Sequence, residues 1–328
     1  MHTSIVIPTW RGRQLLEAYL PSVFAAADFY RASRGAETEI IVVEDAGGDD
    51  TLPWLRSRYG SALTALGHER NLGFCAACQT GFLRARYETV LLLNNDVRLA
   101  VDCIAPMVDH FRDPDVFAVT GKMFNQEGKV FCNGGKIGRF RRGMWSSYLN
   151  YDLLPSARPD YPLLSFAAIG AFSAYDREKF LRLGGFDPLT SMFEDIEISY
   201  RGWKRGWLVK YEPRAVAYHD ASQTMRRRYG RRSLDRLSRR SRLLMHWILL
   251  TDRRMFGQHL SSLALQLLFG WIWLDWPLYW AAFTGLGQLG AIRRKRSENR
   301  RAAVRTDREL RELLERFYRA APIAPRRS

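Results

Sequence analysis

Three features of the sequence predict an α/β fold: a mainly parallel central sheet flanked by helices, with a helical extension at the C-terminal end. Four short β-branched or leucine-rich runs alternate with helical segments over the first 100 residues, the pattern of right-handed β-α-β units. One of them, residues 90–93 (VLLL), is apolar throughout and ends in Asn94, Asn95 and Asp96. Such a run suits a strand buried on both faces, and ligands of open α/β sheets gather at the carboxyl ends of these strands. Charge is the third feature. Residues 1–224 carry 26 Lys+Arg against 26 Asp+Glu, whereas residues 225–328 carry 24 against 8, so the whole net charge of +16 lies in the tail. Two regions are therefore expected: residues 1–224 as the α/β domain and residues 225–328 as a basic, Trp-rich helical region.

In chain order, residues 4–8 (SIVIP) read as the first strand, and residues 15–26 carry apolar side chains at helical spacing. Residues 39–43 (EIIVV) form a second strand that ends in Glu44 and Asp45, followed by the turn at 46–50 and a helix over 51–59. Residues 63–66 give a third, shorter strand, and the polar loop 68–73 (HERNLG) opens a helix over 74–86. Beyond the fourth strand, 103–111 is helical and 116–120 extended, while 129–154, rich in Gly, Arg and aromatics, is expected to be irregular. Residues 166–174 form a strand containing Gly170, where a missing side chain marks close approach of a ligand or a bulge. Asp176 can cap a helix over 177–183 that Gly184-Gly185 ends, and a further helix covers 196–205 before strands at 208–211 and 215–218, then His219.

A neutral first 224 residues argues against a nucleic-acid-binding core, whose positive charge would spread over the folded domain. Four cysteines in a chain of this length give no disulfide framework, and Cys75 and Cys78, a C-x-x-C with no second pair, read as small helix residues. Met1 to Ser4 lead straight into a strand without a basic region and apolar block, so the α/β domain is expected to stay in the cytoplasm. A basic run at 226–242 precedes apolar segments at 243–250 and 260–292, the latter holding Trp271, Trp273, Trp276, Tyr279 and Trp280 and broken by Asp275 and Pro277. The uninterrupted part is too short for a helix across a bilayer about 30 Å thick. Clustered tryptophans beside arginines favour the headgroup region, so residues 226–296 are expected to meet an anionic membrane surface. Interfacial helices, a re-entrant or spanning segment and a soluble subdomain all stay open. Residues 298–319 read as an amphipathic helix and 320–328 as mobile.

With these pieces in order, the chain resembles a family 2 glycosyltransferase of the GT-A fold, most similar to bacterial rhamnosyltransferase-like and galactofuranosyltransferase-like members. The matching segments are SIVIPTW at 4–10, residues 40–51, ERNLGFCAACQTG at 69–81, LLLNNDV at 91–97, residues 170–175 and 184–187, and residues 193–219. The resemblance implies that Asn94-Asn95-Asp96 stands where the family holds a metal and the donor diphosphate, with Asp96 as the carboxylate ligand and His219 as the C-terminal histidine that completes it. It further implies nucleotide-binding roles for Thr9, Trp10, Asp45, Arg70 and Asn71, with Gly170 beside the donor. Asp195 falls in the position of the general base, and Glu194 beside it reads as a positioning residue. Mn²⁺ or Mg²⁺ is the implied cofactor; an imidazole ligand suits manganese better.

Sugar transfer from a nucleotide diphosphate needs an acceptor hydroxyl deprotonated as it attacks the anomeric carbon, and charge neutralised on the leaving diphosphate. Two separate acidic groups, Asp195 and Asp96, answer these needs. The expected function is therefore inverting, metal-dependent transfer to a hydroxyl of a glycan acceptor. Placement at the cytoplasmic face of the cell membrane implies a lipid-linked glycan and cell-surface polysaccharide synthesis. Transfer to a polyprenyl phosphate and a non-catalytic nucleotide-sugar-binding scaffold are the alternatives. Trp145, Tyr148 and Tyr151 are expected as acceptor contacts, and Trp203 and Trp207 as packing.

Overall fold

The computed structural model describes residues 1–219 and 230–327. Strands β1 (Thr3–Thr9), β2 (Thr38–Glu44), β3 (Thr64–Gly67) and β4 (Thr89–Leu93) run parallel in the order β3-β2-β1-β4. They are linked through helices α1 (Arg13–Arg34), α2 (Thr51–Tyr59) and α3 (Phe74–Arg84). Successive side chains of β1 and β4 enter two different cores. Ile5, Ile7, Leu91 and Leu93 pack with Leu16 and Leu20 of α1; Val6, Val90 and Leu92 pack with Cys78 and Phe82 of α3. Burial on both faces is why these strands read as unbroken apolar runs. Cys75 and Cys78 lie on the buried face of α3, where burial raises both thiols out of the reactive range.

The short strand β5 (Val97–Leu99) and helix α4 (Ile104–Val108) follow, and β6 (Val116–Phe124) extends the sheet. Residues 129–154, expected to be irregular, instead form β7 (Phe131–Asn133), β8 (Gly135–Arg141) and β9 (Met144–Leu153), the last two an antiparallel ribbon. The glycines that look like loop signals admit aromatic rings. A Cβ at Gly135 would lie 2.2 Å from the Tyr151 ring, and one at Gly138 2.3 Å from the Phe166 ring. After β10 (Leu163–Leu164), the strand expected over 166–174 is confined to β11 (Phe172–Asp176), antiparallel to both β4 and β6. Helices α5 (Arg177–Arg182) and α6 (Glu194–Lys204) lead into β12 (Leu208–His219), one strand in place of the two expected, with a register shift between Glu212 and Val216 around Pro213.

Among the described residues five helices follow: α7 (Arg231–Leu249), α8 (Arg253–Phe269), α9 (Trp276–Leu286), α10 (Leu289–Arg301) and α11 (Asp307–Ala320). Residues 226–229 of the basic run lie outside the described residues. The helix expected over 298–319 breaks at 302–306, because the N–H groups of Val304 and Arg305 bond to the Lys204 carbonyl at 2.8 and 3.0 Å and dock the turn on the end of α6. Residues expected to be mobile at the end form β13 (Ile323–Arg327), antiparallel to β9. Leu244, Ile248, Leu310 and Leu314 share one core with Phe166, Tyr200 and Trp203. Within it, Asp307 is fully buried and takes the Lys204 ammonium at 2.7 Å, the Tyr200 hydroxyl at 2.6 Å and the N–H groups of Thr251 and Asp252 at 2.7 and 2.6 Å. The opposite side of α8 and α9 is bare: Trp273 is 83% and Phe283 77% exposed, with Leu265, Leu268 and Trp271 beside them. Among the described residues no helix is long and apolar enough to cross a membrane.

Candidate active site

Where β4 ends, the chain turns through Asn94, Asn95 and Asp96 into β5. Buried Asn95 donates from Nδ2 to the Thr9 Oγ1 at 2.7 Å, which locks the turn to the end of β1. Because β5 pairs antiparallel with β12, His219 stands opposite Val97. This brings His219 Nε2 within 3.1 Å of Asp96 Oδ1 across 123 residues of sequence. That carboxylate oxygen is buried yet accepts no hydrogen bond. Gln126 ties the two strand ends together, its Nε2 donating to the carbonyls of Asp96 and Tyr218 at 3.2 Å each. A buried carboxylate oxygen that accepts no hydrogen bond and lies beside an imidazole is a donor set that fits a divalent cation. Among the described residues no group of three or more His, Cys, Asp or Glu could hold a metal, so the protein would supply two ligands and leave the rest of the shell to phosphate and water.

The neighbouring wall is built by acidic residues that hold backbone. Glu44 Oε1 accepts from Gly47 N at 2.7 Å and shapes the turn after β2. Asp45 is engaged on both oxygens: Oδ1 accepts from Leu72 N at 2.8 Å and lies 2.8 Å from His68 Nδ1, while Oδ2 accepts from Gly73 N at 2.7 Å. Asn71 closes the same loop by donating to the Asp45 carbonyl at 2.9 Å. Asp45 therefore fixes residues 71–73 at the start of α3. Arg70 is exposed, and Arg11 covers the Trp10 ring at 5.0 Å.

The second acidic group opens α6. Ser199 Oγ donates to the Asp195 carbonyl at 2.6 Å and accepts from Ala168 N at 3.0 Å, while Trp203 Nε1 donates to the Phe166 carbonyl at 3.1 Å. These bonds hold the irregular segment before β11 against α6. Its other flank meets the end of β4 through Asn94 N, which donates to the Ala171 carbonyl at 3.0 Å. Residues 169–171 thus touch both acidic sites, and Gly170 lies where a Cβ would be only 3.9 Å from that of Asp195.

Asp195 Oδ1 accepts from its own helix at Ile196 N, 2.7 Å away. Burial raises its carboxyl above the usual range, opposed by the backbone N–H groups of Ile196 and Gly170 and by the Lys136 ammonium. Glu194 Oε2 is buried without a hydrogen-bond partner, and burial together with the neighbouring Asp195 charge pushes the Glu194 carboxyl up to about 7, against the backbone N–H groups of Glu194 and Met192, which lower it. In this pair the remaining proton belongs on Glu194 and the negative charge on Asp195. A cavity of about 590 Å³ opens in front, lined by Lys136, Tyr148, Ile169, Phe193 and Asp195 among others.

Of the aromatics expected there, only Tyr148 faces the cavity. Trp145 and Tyr151 are buried, the first donating to the Tyr200 hydroxyl at 3.0 Å and the second to the Leu164 carbonyl at 2.6 Å, so they are packing residues. Lys136, whose ammonium burial lowers to about 8, was not expected in the site. A lone lysine in a stretch read as irregular carries no sequence signal.

Solved structures share this architecture. GalNAc-T7 with UDP, GalNAc and Mn²⁺ matches at a TM-score of 0.58 and 18% identity, over 80% of this chain and 51% of that one. TarS 1–349 of S. aureus in complex with UDP-GlcNAc matches at 0.53 and 16% identity, over 97% and 92%. The fold is that of the GT-A glycosyltransferases. Among curated relatives, the poly-beta-1,6-N-acetyl-D-glucosamine synthase of Staphylococcus aureus (strain COL) is 24% identical over 192 residues, 57% of this chain and 44% of that protein, so the chain spans less than half of that relative's length. The profile described as glycosyl transferase family 2 matches residues 4–184, and the chain belongs to that family.

Proposed function

We propose that this protein is an inverting, metal-dependent glycosyltransferase that moves a sugar from a nucleotide diphosphate to a hydroxyl of a lipid-linked glycan at the cytoplasmic face of the membrane. UDP and UDP-GlcNAc in the two solved neighbours, and the polysaccharide named in the curated relative, support the donor and acceptor classes. The observation that carries the reading is that residues 169–171 contact both acidic segments, bonding to Asn94 of the turn that carries Asp96 and lying beside Asp195 at Gly170, while the buried Asp96 oxygen next to His219 accepts no hydrogen bond.

In this reading Asp195 accepts the proton of the acceptor hydroxyl as its oxygen bonds to the anomeric carbon, while the bond to the diphosphate breaks on the opposite face and the centre inverts. Asp96 and His219 would hold Mn²⁺ or Mg²⁺, and the ion would supply Lewis-acid neutralisation of charge on the leaving diphosphate. Glu194, protonated, keeps a second negative charge away from the base. Thr9 and Asn95 hold the end of β4 against β1, and Asp45 and Asn71 keep the nucleotide-facing loop in place. The bare apolar face of α8 and α9 and the arginine-rich helices around it support a membrane-surface role for residues 226–296.

One experiment tests both halves. Asp195→Asn should abolish transfer and keep nucleotide-diphosphate binding in the presence of manganese; Asp96→Ala should lose the manganese-dependent part of that binding. Normal turnover in the first variant, or unchanged manganese dependence in the second, would remove the assigned roles.

A further inference from the structure

We infer that the arginine-lined groove at the tip of the β8–β9 ribbon binds the diphosphate of a membrane-anchored acceptor, between the apolar face of α8 and α9 and the cavity at Asp195. The inference rests on the lipid-linked acceptor proposed above and adds the place where its charged head is held. The groove is a cavity of about 620 Å³ whose lining includes Arg141, Arg142, Arg242, Leu265, Phe269 and Trp273. The lining therefore brings cationic and apolar side chains together, as a phosphate joined to a hydrocarbon chain requires.

Arg141 and Arg142 are exposed and, among the described residues, neither forms an ion pair. The carboxylate on the rim, Asp275, is already neutralised: Arg239 holds it at 2.6 and 2.7 Å. The groove thus keeps a surplus of guanidinium groups, whose planar donors match phosphate oxygens. The tip that presents them is seated. Gly143, at φ +73°, accepts from His259 Nδ1 through its carbonyl at 2.9 Å, and a Cβ there would meet the Gln258 carbonyl at 2.5 Å, so the ribbon lies directly on α8.

The groove leads to the catalytic cavity through one side-chain pair. Arg242 donates to the Tyr148 hydroxyl at 3.0 Å and to the Trp145 carbonyl at 3.2 Å, with its guanidinium 5.4 Å from the Tyr148 ring centre. Tyr148 in turn lines the cavity that contains Asp195. A further cavity of about 320 Å³ shares Tyr148 with the catalytic cavity and Arg242 and Leu278 with the groove. A lipid tail on the apolar face, a diphosphate at the arginines and saccharide running past Tyr148 would bring an acceptor hydroxyl to the base.

The test uses the full chain and three kinds of phosphatidylcholine vesicle: plain, doped with phosphatidylglycerol, or doped with polyprenyl diphosphate to the same charge. Wild type should prefer the diphosphate vesicles over the phosphatidylglycerol ones by about tenfold, the worth of one charge-assisted hydrogen bond. Arg141→Ala/Arg142→Ala should erase that preference while binding phosphatidylglycerol vesicles and keeping the wild-type circular dichroism spectrum. Equal affinity of wild type for both anionic vesicles, or a preference surviving in the double variant, would overturn the groove assignment and leave membrane association intact. Failure of wild type to bind any of the vesicles would instead refute the membrane-anchored acceptor itself, and the inference with it.

Discussion

Replacing Lys136 by Met tests the electrostatics of the acid pair most directly, because it removes a charge that faces Asp195 and keeps the length and apolar stem of the side chain. The buried Asp195 carboxyl is pushed up by desolvation and drawn back in part by the Lys136 ammonium, so without that charge the base is harder to ionise. An opposite charge in a half-buried cavity is worth on the order of 1–2 kcal/mol, about tenfold in the ionised fraction. On the acid limb of the pH profile, kcat/KM of Lys136→Met should therefore lie about tenfold below wild type. The gap should close at alkaline pH, for two reasons. Asp195 is then ionised in both proteins, and wild-type Lys136, lowered to about 8 by burial, gives up its own proton there. The assay is initial-rate sugar transfer across the pH range at saturating nucleotide sugar. A uniform loss at every pH would mean that Lys136 only shapes the cavity, and an unchanged profile would refute its electrostatic role.

Three further outcomes follow from the same structure. Glu194 is raised from 4.5 to about 7, so the native state holds a proton that the unfolded chain has lost between these values, and stability falls as pH rises through that window. Glu194→Gln should thus stabilise the protein by on the order of 3 kcal/mol at pH 8 and hardly at all at pH 4, read by urea denaturation. His246 is buried, accepts from Trp145 N at 2.7 Å and is lowered from 6.5 to about 3, so below 6.5 the unfolded chain takes up a proton that the native state refuses. The stability advantage of wild type over His246→Asn should shrink by about 1.4 kcal/mol per pH unit below that value. Asp307→Ala strands the Lys204 ammonium in the core and should cost about 3–5 kcal/mol, measured by thermal melting.

The parallel half of the sheet was legible because strands buried on both faces must be apolar at every position, as residues 90–93 are. Asp96 was legible because it stands at the end of such a strand. The β8–β9 ribbon was hidden for a physical reason: Gly135 and Gly138 punctuate it where rings of Tyr151 and Phe166 lie against the backbone, and glycines in a sequence read as turns. With the ribbon went Lys136, and with the same misreading Trp145 and Tyr151 were expected at a surface they do not reach. Pro213 likewise split β12 in two, although a register shift lets the strand run on through it to His219. The ordered C-terminal strand has a similar origin. Nothing local in residues 323–327 marks them as a strand; their pairing with β9 is supplied by a partner 170–178 residues earlier.

Helix α6 explains why the C-terminal helices matter to chemistry at the other end of the molecule. Its first turn carries Glu194 and Asp195, while its later residues Tyr200 and Lys204 both bind Asp307 at the start of α11. Asp307 in turn holds the backbone of Thr251 and Asp252, where α7 gives way to α8. A single buried carboxylate thus fixes the helix of the proposed base relative to the helices whose outer side is bare and apolar. Such a network resists small displacements because each lost bond leaves a charge or an N–H group unpaired in the core. An acceptor held at the apolar face would therefore be presented to Asp195 at a distance set by the protein, with no hinge in α6 to absorb an error.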